Sequence, residues 1–145
     1  MTLDRNLLVG KRIAALDVGM ARIGVAVCDE RHIVVSTRPV VNQDADVWTN
    51  LNRRFTEDRI DLVLVGIPEL HDERETEIIR QIRTFIDELK SRVALPVYEV
   101  DEAFSTQKAL HMMKAVGTSK KRRSTKGTKD QMAAAIILQD VLNEL

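Results

Sequence analysis

Four acidic side chains stand where an apolar stretch begins or ends. Asp17 follows the run "IAAL", Asp101 and Glu102 close "LPVYEVDE", and Asp130 opens "DQMAAAIILQ". If the chain gathers such groups at one place, they repel one another when ionised, and a cation among them relieves the repulsion. Carboxylate oxygens are hard ligands that suit Mg²⁺ or Mn²⁺. Two such ions, about 3.5–4 Å apart, activate a water and stabilise the leaving oxygen of a phosphodiester. The chemistry implied is metal-assisted hydrolysis, with no histidine or nucleophilic side chain needed. Taken singly, each residue also fits a purely structural role. Asp at a strand end forms turns, Asp at a helix start caps it, and Asp101 or Glu102 can be solvated or paired with a lysine. Only convergence gives the set its force.

Convergence depends on the elements that carry these residues. "RIAALDV" and "RIGVAVCD" read as two strands joined by "GMA", the spacing of a hairpin. "HIVVSTRPVV" reads as a third strand, ended by Pro39. The period then changes. Val47, Trp48, Leu51 and Phe55 recur at helical spacing, with Asp44 or Asp46 as cap. "DLVLVGIP" is a continuous apolar run, as in a strand buried on both faces. Ile78, Ile79, Ile82, Phe85, Ile86, Leu89 and Val93 form one helical stripe. "LPVYEVDE" is a further strand, "STQKALHMMKAV" a helix capped by Ser105, and the segment from Asp130 a last helix. A helix between two strands favours a parallel right-handed crossover. The predicted fold is α/β: a mixed five-stranded sheet, made of a three-strand antiparallel meander plus two parallel strands, with helices on both faces. In such sheets ligands gather beyond the carboxyl ends of parallel strands. Asp17 and the Asp101–Glu102 pair lie there. Adjacent strand residues face opposite sides, so one of Asp101 and Glu102 faces the site. Ala133 and Ala134 leave the last helix a narrow face for docking close to the sheet.

The totals set bounds. A chain of 145 residues, 44% hydrophobic, suits a single domain spanning 1–145. Cys28 is the only cysteine, which excludes an intramolecular disulfide and a cysteine zinc cluster. His32, His71 and His111 show no metal-ligand spacing. The first residues lack the apolar stretch of a signal peptide, and no run approaches the ~20 apolar residues of a membrane span. A reduced, cytoplasmic protein with no membrane partner is expected.

The formal net charge is zero, but the charge is unevenly placed. Lys114, Lys120, Lys121, Arg122, Arg123, Lys126 and Lys129 follow one another with no acidic residue between them. The rest of the chain carries 15 basic residues against 22 acidic ones. A positive segment beside an acidic metal site suits a polyanion whose phosphates are held while one of them is cut. The plainer alternative is a solvated loop. No aromatic residue interrupts the run, so contacts here are to backbone phosphate and are blind to sequence.

The motifs "ALDVGMARIGVAVCDE", "LVLVGIP", "LPVYEVDEAFST" and "DQMAAAIILQ", in this order and spacing, resemble the YqgF (RuvX) family of RNase H-like nucleases, related to the RuvC Holliday junction resolvases. The resemblance implies an RNase H-like fold and catalytic, metal-binding carboxylates at Asp17, Glu102 and Asp130, with Mg²⁺ or Mn²⁺, as two ions, between them. It implies maturation of the 5′ end of 16S ribosomal RNA, hence pre-16S rRNA and the ribosome as partners. Arg22 matches the family's arginine after the first glycine and is expected to contact phosphate, together with Lys120, Lys121, Arg122, Arg123 and Lys126. Two departures stand out. Ala103 replaces an arginine after the fifth strand, and Leu70 and Glu73 replace an asparagine and a glycine after the fourth. Three alternatives follow: a Holliday junction resolvase acting on branched DNA as a symmetric dimer, a non-catalytic RNA- or ribosome-binding protein, and a nucleotide-phosphate binder using the Asp-x-Gly hairpin.

Overall fold

The structure, a computed structural model, describes residues 4–68, 73–102 and 126–145. A short helical turn, α1 (Arg5–Leu8), leads into β1 (Ile13–Val18), β2 (Arg22–Cys28), β3 (Val35–Asn42), α2 (Val47–Glu57), β4 (Leu62–Pro68), α3 (Glu73–Arg92), β5 (Val97–Glu102) and α4 (Lys126–Asn143). The five strands form one sheet in the order β3-β2-β1-β4-β5. The meander β1–β2–β3 is antiparallel, and β4 and β5 run parallel to β1. This is the predicted mixed sheet. The expected helix over 105–116, Ala103, Leu70 and the basic residues Lys120, Lys121, Arg122 and Arg123 lie outside the described residues.

Alternation along the strands sorts side chains into two layers. Leu16, Val63, Val65 and Ile67 face α2 and α3, where they pack with Leu51, Phe55, Phe85, Ile86 and Leu89. Ile13, Ala15, Ala26, Leu62 and Leu64 face α4 and meet Ala134, Ile137 and Leu138. β4 is apolar on both sides because both layers cover it, as its continuous run required. Trp48 of α2 stacks on Phe85 of α3 with ring centroids 5.0 Å apart, which holds those two helices together.

Three local expectations need correction. Pro39 does not end the third strand. β3 continues to Asn42 because Pro39 and Val40 together oppose Gly24, a bulge on an edge strand, where proline costs no ladder bond. β3 also starts later than expected, at Val35, because Asp29 Oδ1 accepts hydrogen bonds from the amides of Ile33 and Val34 and holds them in a turn. The last helix starts at Lys126, one turn before Asp130, so Asp130 is not its cap. Asp46 occupies the cap position of α2 without a side-chain bond, while Asp44 Oδ1 accepts from the Asp46 amide.

Candidate metal and phosphodiester site

The site begins with a missing side chain. Gly24 of β2 pairs directly with Asp17 of β1. A Cβ at Gly24 would overlap the carbonyl oxygen of Asp130. The glycine therefore lets the first turns of α4 sit on the sheet backbone, and Ala133, Ala134 and Ala135 keep the following turn close as well. Close docking carries Asp130 over the end of β1.

Arg22, two residues before Gly24 on the same face of β2, completes the arrangement. Its Nε donates to Asp130 Oδ2 at 2.7 Å. Arg22 is thus engaged with a carboxylate rather than standing clear at a strand end. Asp17 is partly buried beneath them. Burial and then the charge of Asp130 push its pKa up from 3.8 to about 6. Two acidic groups are therefore close enough to feel each other, with one cationic side chain holding the outer one.

The register also separates Asp101 from Glu102. Asp101 pairs with Ile67 and shares parity with Val97 and Glu99; Glu99 accepts from Arg83 Nε of α3 at 3.2 Å. Position 102 pairs with Pro68 and shares parity with Tyr98 and Val100, which pack on the α4 side. Position 102 is therefore on the same face of the sheet as Asp17. The side chains of Glu102 and Lys126 lie outside what the structure describes. Lys126 opens α4, one turn ahead of Asp130. Among the described residues no three His, Cys, Asp or Glu side chains cluster for a metal; Asp17 and Asp130 are the two donors the described residues supply.

The donor chemistry fits a hard divalent cation. Both groups offer oxygen, and Asp17 carries the destabilised negative charge that such an ion would offset. Cys28, the one thiol of the sequence, is buried toward the other end of β2.

Gly24 and the Arg22–Asp130 pairing were not assigned from sequence. Gly24 did leave a signal, as a lone glycine inside the strand "RIGVAV", a mark of close backbone approach.

The model of the family described as "RuvX: Holliday junction resolvase" matches residues 11–144. The chain belongs to the RuvX family. A protein of Christiangramia forsetii named "Putative pre-16S rRNA nuclease" is 36% identical over 134 residues, covering 92% of this chain and 98% of its own. A protein of the same name from Nitratidesulfovibrio vulgaris is 35% identical over 135 residues, covering 88% and 90%. Among solved structures, RuvC of T. thermophilus in complex with a Holliday junction substrate superposes with a TM-score of 0.56 at 12% identity, covering 92% of this chain and 96% of that one. The Fowlpox virus resolvase bound to Holliday junction DNA gives 0.54 at 12% identity, covering 92% and 99%. At that identity the likeness is one of fold, and the RNase H-like architecture of this RuvX member is the one expected.

Proposed function

We propose that this RuvX protein is a metal-dependent nuclease that trims the 5′ end of pre-16S ribosomal RNA in the cytoplasm. The observation that carries the reading is the Asp17–Asp130 pair, brought together at the carboxyl end of β1 by the glycine beneath α4. Membership of a family whose relatives bear a pre-16S rRNA nuclease name supports the substrate class.

Asp17, Asp130 and Glu102 would hold Mg²⁺ or Mn²⁺, as one or two ions. Such an ion supplies a water of lowered pKa and charge neutralisation at the leaving oxygen. Asp17, partly buried at the end of β1, would offer the ion a carboxylate whose charge burial and Asp130 leave in need of compensation. Arg22 fixes the rotamer of Asp130 through the 2.7 Å bond and balances its charge before metal arrives. Lys120, Lys121, Arg122, Arg123 and Lys126 hold the flanking phosphates. Arg22 would turn its remaining guanidinium N–H donors, those not bonded to Asp130, to a substrate phosphate.

The test is cleavage of a 5′-extended 16S leader RNA by purified protein. Cutting should require Mg²⁺ or Mn²⁺, stop on chelation, and fall at least 1,000-fold, about 4 kcal/mol, in Asp17→Asn. An Asp17→Asn protein that cuts at the wild-type rate overturns the assignment. The family description favours one second reading, resolution of branched DNA. Opposed strands then need two sites related by symmetry. A strictly monomeric protein in light scattering, with and without junction DNA, rules that reading out.

A further inference from the structure

α4 meets the sheet through small residues. Gly24 lies beneath the Asp130 carbonyl, and Ala133, Ala134 and Ala135 are buried in the turn that follows. Small side chains allow close approach but do not interlock, so they leave the rotation of the helix about its axis weakly specified. Rotation matters for Asp130. A carboxylate about 5 Å from the helix axis moves about 1.7 Å when the helix turns by about 20°. A misplacement of about 1 Å at a reacting centre costs on the order of 100-fold in rate. Arg22 holds the Asp130 carboxylate, but so long a side chain can follow a turning helix, and its bond does not fix the angle.

Gln131, the next residue, supplies a bond to a less yielding partner. Its Nε2 donates to the carbonyl oxygen of Arg38 in β3, 93 residues away, at 2.7 Å. A carbonyl only accepts, so the donor end of the amide must face it. The acceptor is main chain, in a segment tied down from the other side. Arg38 directly precedes the Pro39–Val40 bulge that opposes Gly24. From the opposite face of the sheet, Arg54 Nη1 of α2 donates to the Pro39 carbonyl at 2.7 Å. The Arg38 guanidinium reaches Asp58, at the end of α2, through Nε and Nη2, each 3.2 Å from a carboxylate oxygen. Two successive carbonyls of the edge strand are thus gripped from opposite layers, that of Arg38 by α4 and that of Pro39 by α2.

We propose that Gln131 is a positioning residue of the metal site: its bond to the Arg38 carbonyl sets the rotation of α4 and so aims Asp130 at an ion shared with Asp17. The inference deepens the nuclease reading and rests on it through that ion. Gln131 acts through Asp130 and touches neither metal nor substrate. Gly24 sets how near α4 lies, and Gln131 sets which way its acidic side chain faces. Bulges next to active sites commonly re-aim side chains; here the bulged strand, anchored to α2, offers α4 a fixed acceptor at the level of the site.

Two variants test this. Gln131→Met keeps the length of the side chain and loses the donor, while Gln131→His keeps a neutral N–H at similar reach. The position is half-buried, so both should leave the fold intact. Each protein is studied well below its melting temperature by isothermal titration with Mn²⁺ alone and by kcat and KM on the 5′-extended leader RNA. Gln131→Met should bind Mn²⁺ about tenfold more weakly and lose about 100-fold in kcat. Its KM for RNA should stay within about twofold of wild type, because the cations that hold phosphate are untouched. Gln131→His should recover most of both losses. A Gln131→Met protein that melts earlier yet keeps wild-type Mn²⁺ affinity and kcat overturns the proposal and leaves the bond a purely structural one. Equal losses in the two variants also overturn it. Wild-type protein that binds Mn²⁺ but cuts no RNA, with that affinity lowered in Gln131→Met and recovered in Gln131→His, keeps the positioning role and defeats the nuclease reading instead. Wild-type protein that binds no Mn²⁺ overturns both.

Discussion

Asp17 carries the largest electrostatic tension among the described carboxylates. Burial and Asp130 raise its pKa from 3.8 to about 6 in the folded state. The folded protein therefore binds a proton at Asp17 that the unfolded chain releases. The stabilisation linked to that proton is complete below pH 3.8 and disappears as pH rises through about 6. At neutral pH the metal-free fold gives up as much as about 3 kcal/mol through this one group. Urea unfolding of metal-free protein should therefore show a difference between wild type and Asp17→Asn that grows from pH 4.5 to 7.5, with Asp17→Asn the more stable at the upper end. Saturating Mg²⁺ should remove much of that difference, because an ion that binds only the native state stabilises it by mass action. A pH-independent difference would mean that Asp17 titrates normally. Arg22 shows why the neighbouring Asp130 is tolerated, since its guanidinium 2.7 Å away compensates one of the two charges.

The element that decides the site is α4, and what decides α4 is its fit to β2. At Gly24 the two backbones come so near that a Cβ would overlap the Asp130 carbonyl oxygen. Gly24→Ala must push the Asp130 carbonyl outward or bend the strand. Overpacking of this kind costs about 1–3 kcal/mol. The catalytic loss should exceed the stability loss, because Asp130 moves with the helix while Asp17 stays on β1. Thermal melts and cleavage assays on Gly24→Ala, set against Ala134→Gly as a variant of the same helix, separate the two effects. Full activity in a folded Gly24→Ala protein would show that close docking is not what positions Asp130. β3 illustrates the same coupling of element to neighbour. The Pro39–Val40 bulge lies opposite Gly24, so the edge strand is irregular at the level where α4 docks.

Over the whole molecule charge is segregated more than it is abundant. The segment from Lys114 to Lys129 holds seven cations and no anion in a chain of zero net charge. If this segment holds RNA phosphates, log–log plots of affinity against salt should flatten when its cations are removed. For a single strand each neutralised phosphate contributes about 0.7 to the slope, so replacing Lys120, Lys121, Arg122 and Arg123 by alanine should lower it by about 3. Anisotropy titrations across a KCl series measure this directly, and an unchanged slope would exclude the segment from the phosphate path. No helix among the described residues is long and apolar enough to cross a membrane.

Much of this protein was legible in the order of its residues. Period-two and period-3.6 patterns follow from backbone geometry alone. They placed all five strands, α2 and α3 and set Asp17 at a strand end, while the bounds of β3 and the start of α4 differ from the expectation. The motifs around Asp17, position 102 and Asp130 pointed to the RuvX family. Tertiary structure alone settled what depends on distances between remote segments. Arg22 and Asp130 are 108 residues apart, and no local window shows that they bond. The contact of Gly24 with the Asp130 backbone, and the register that puts position 102 on the same face of the sheet as Asp17 and Asp101 on the other, are of the same kind. Each requires two elements to be docked at a definite register, and docking is fixed by how both cores pack rather than by any stretch of sequence.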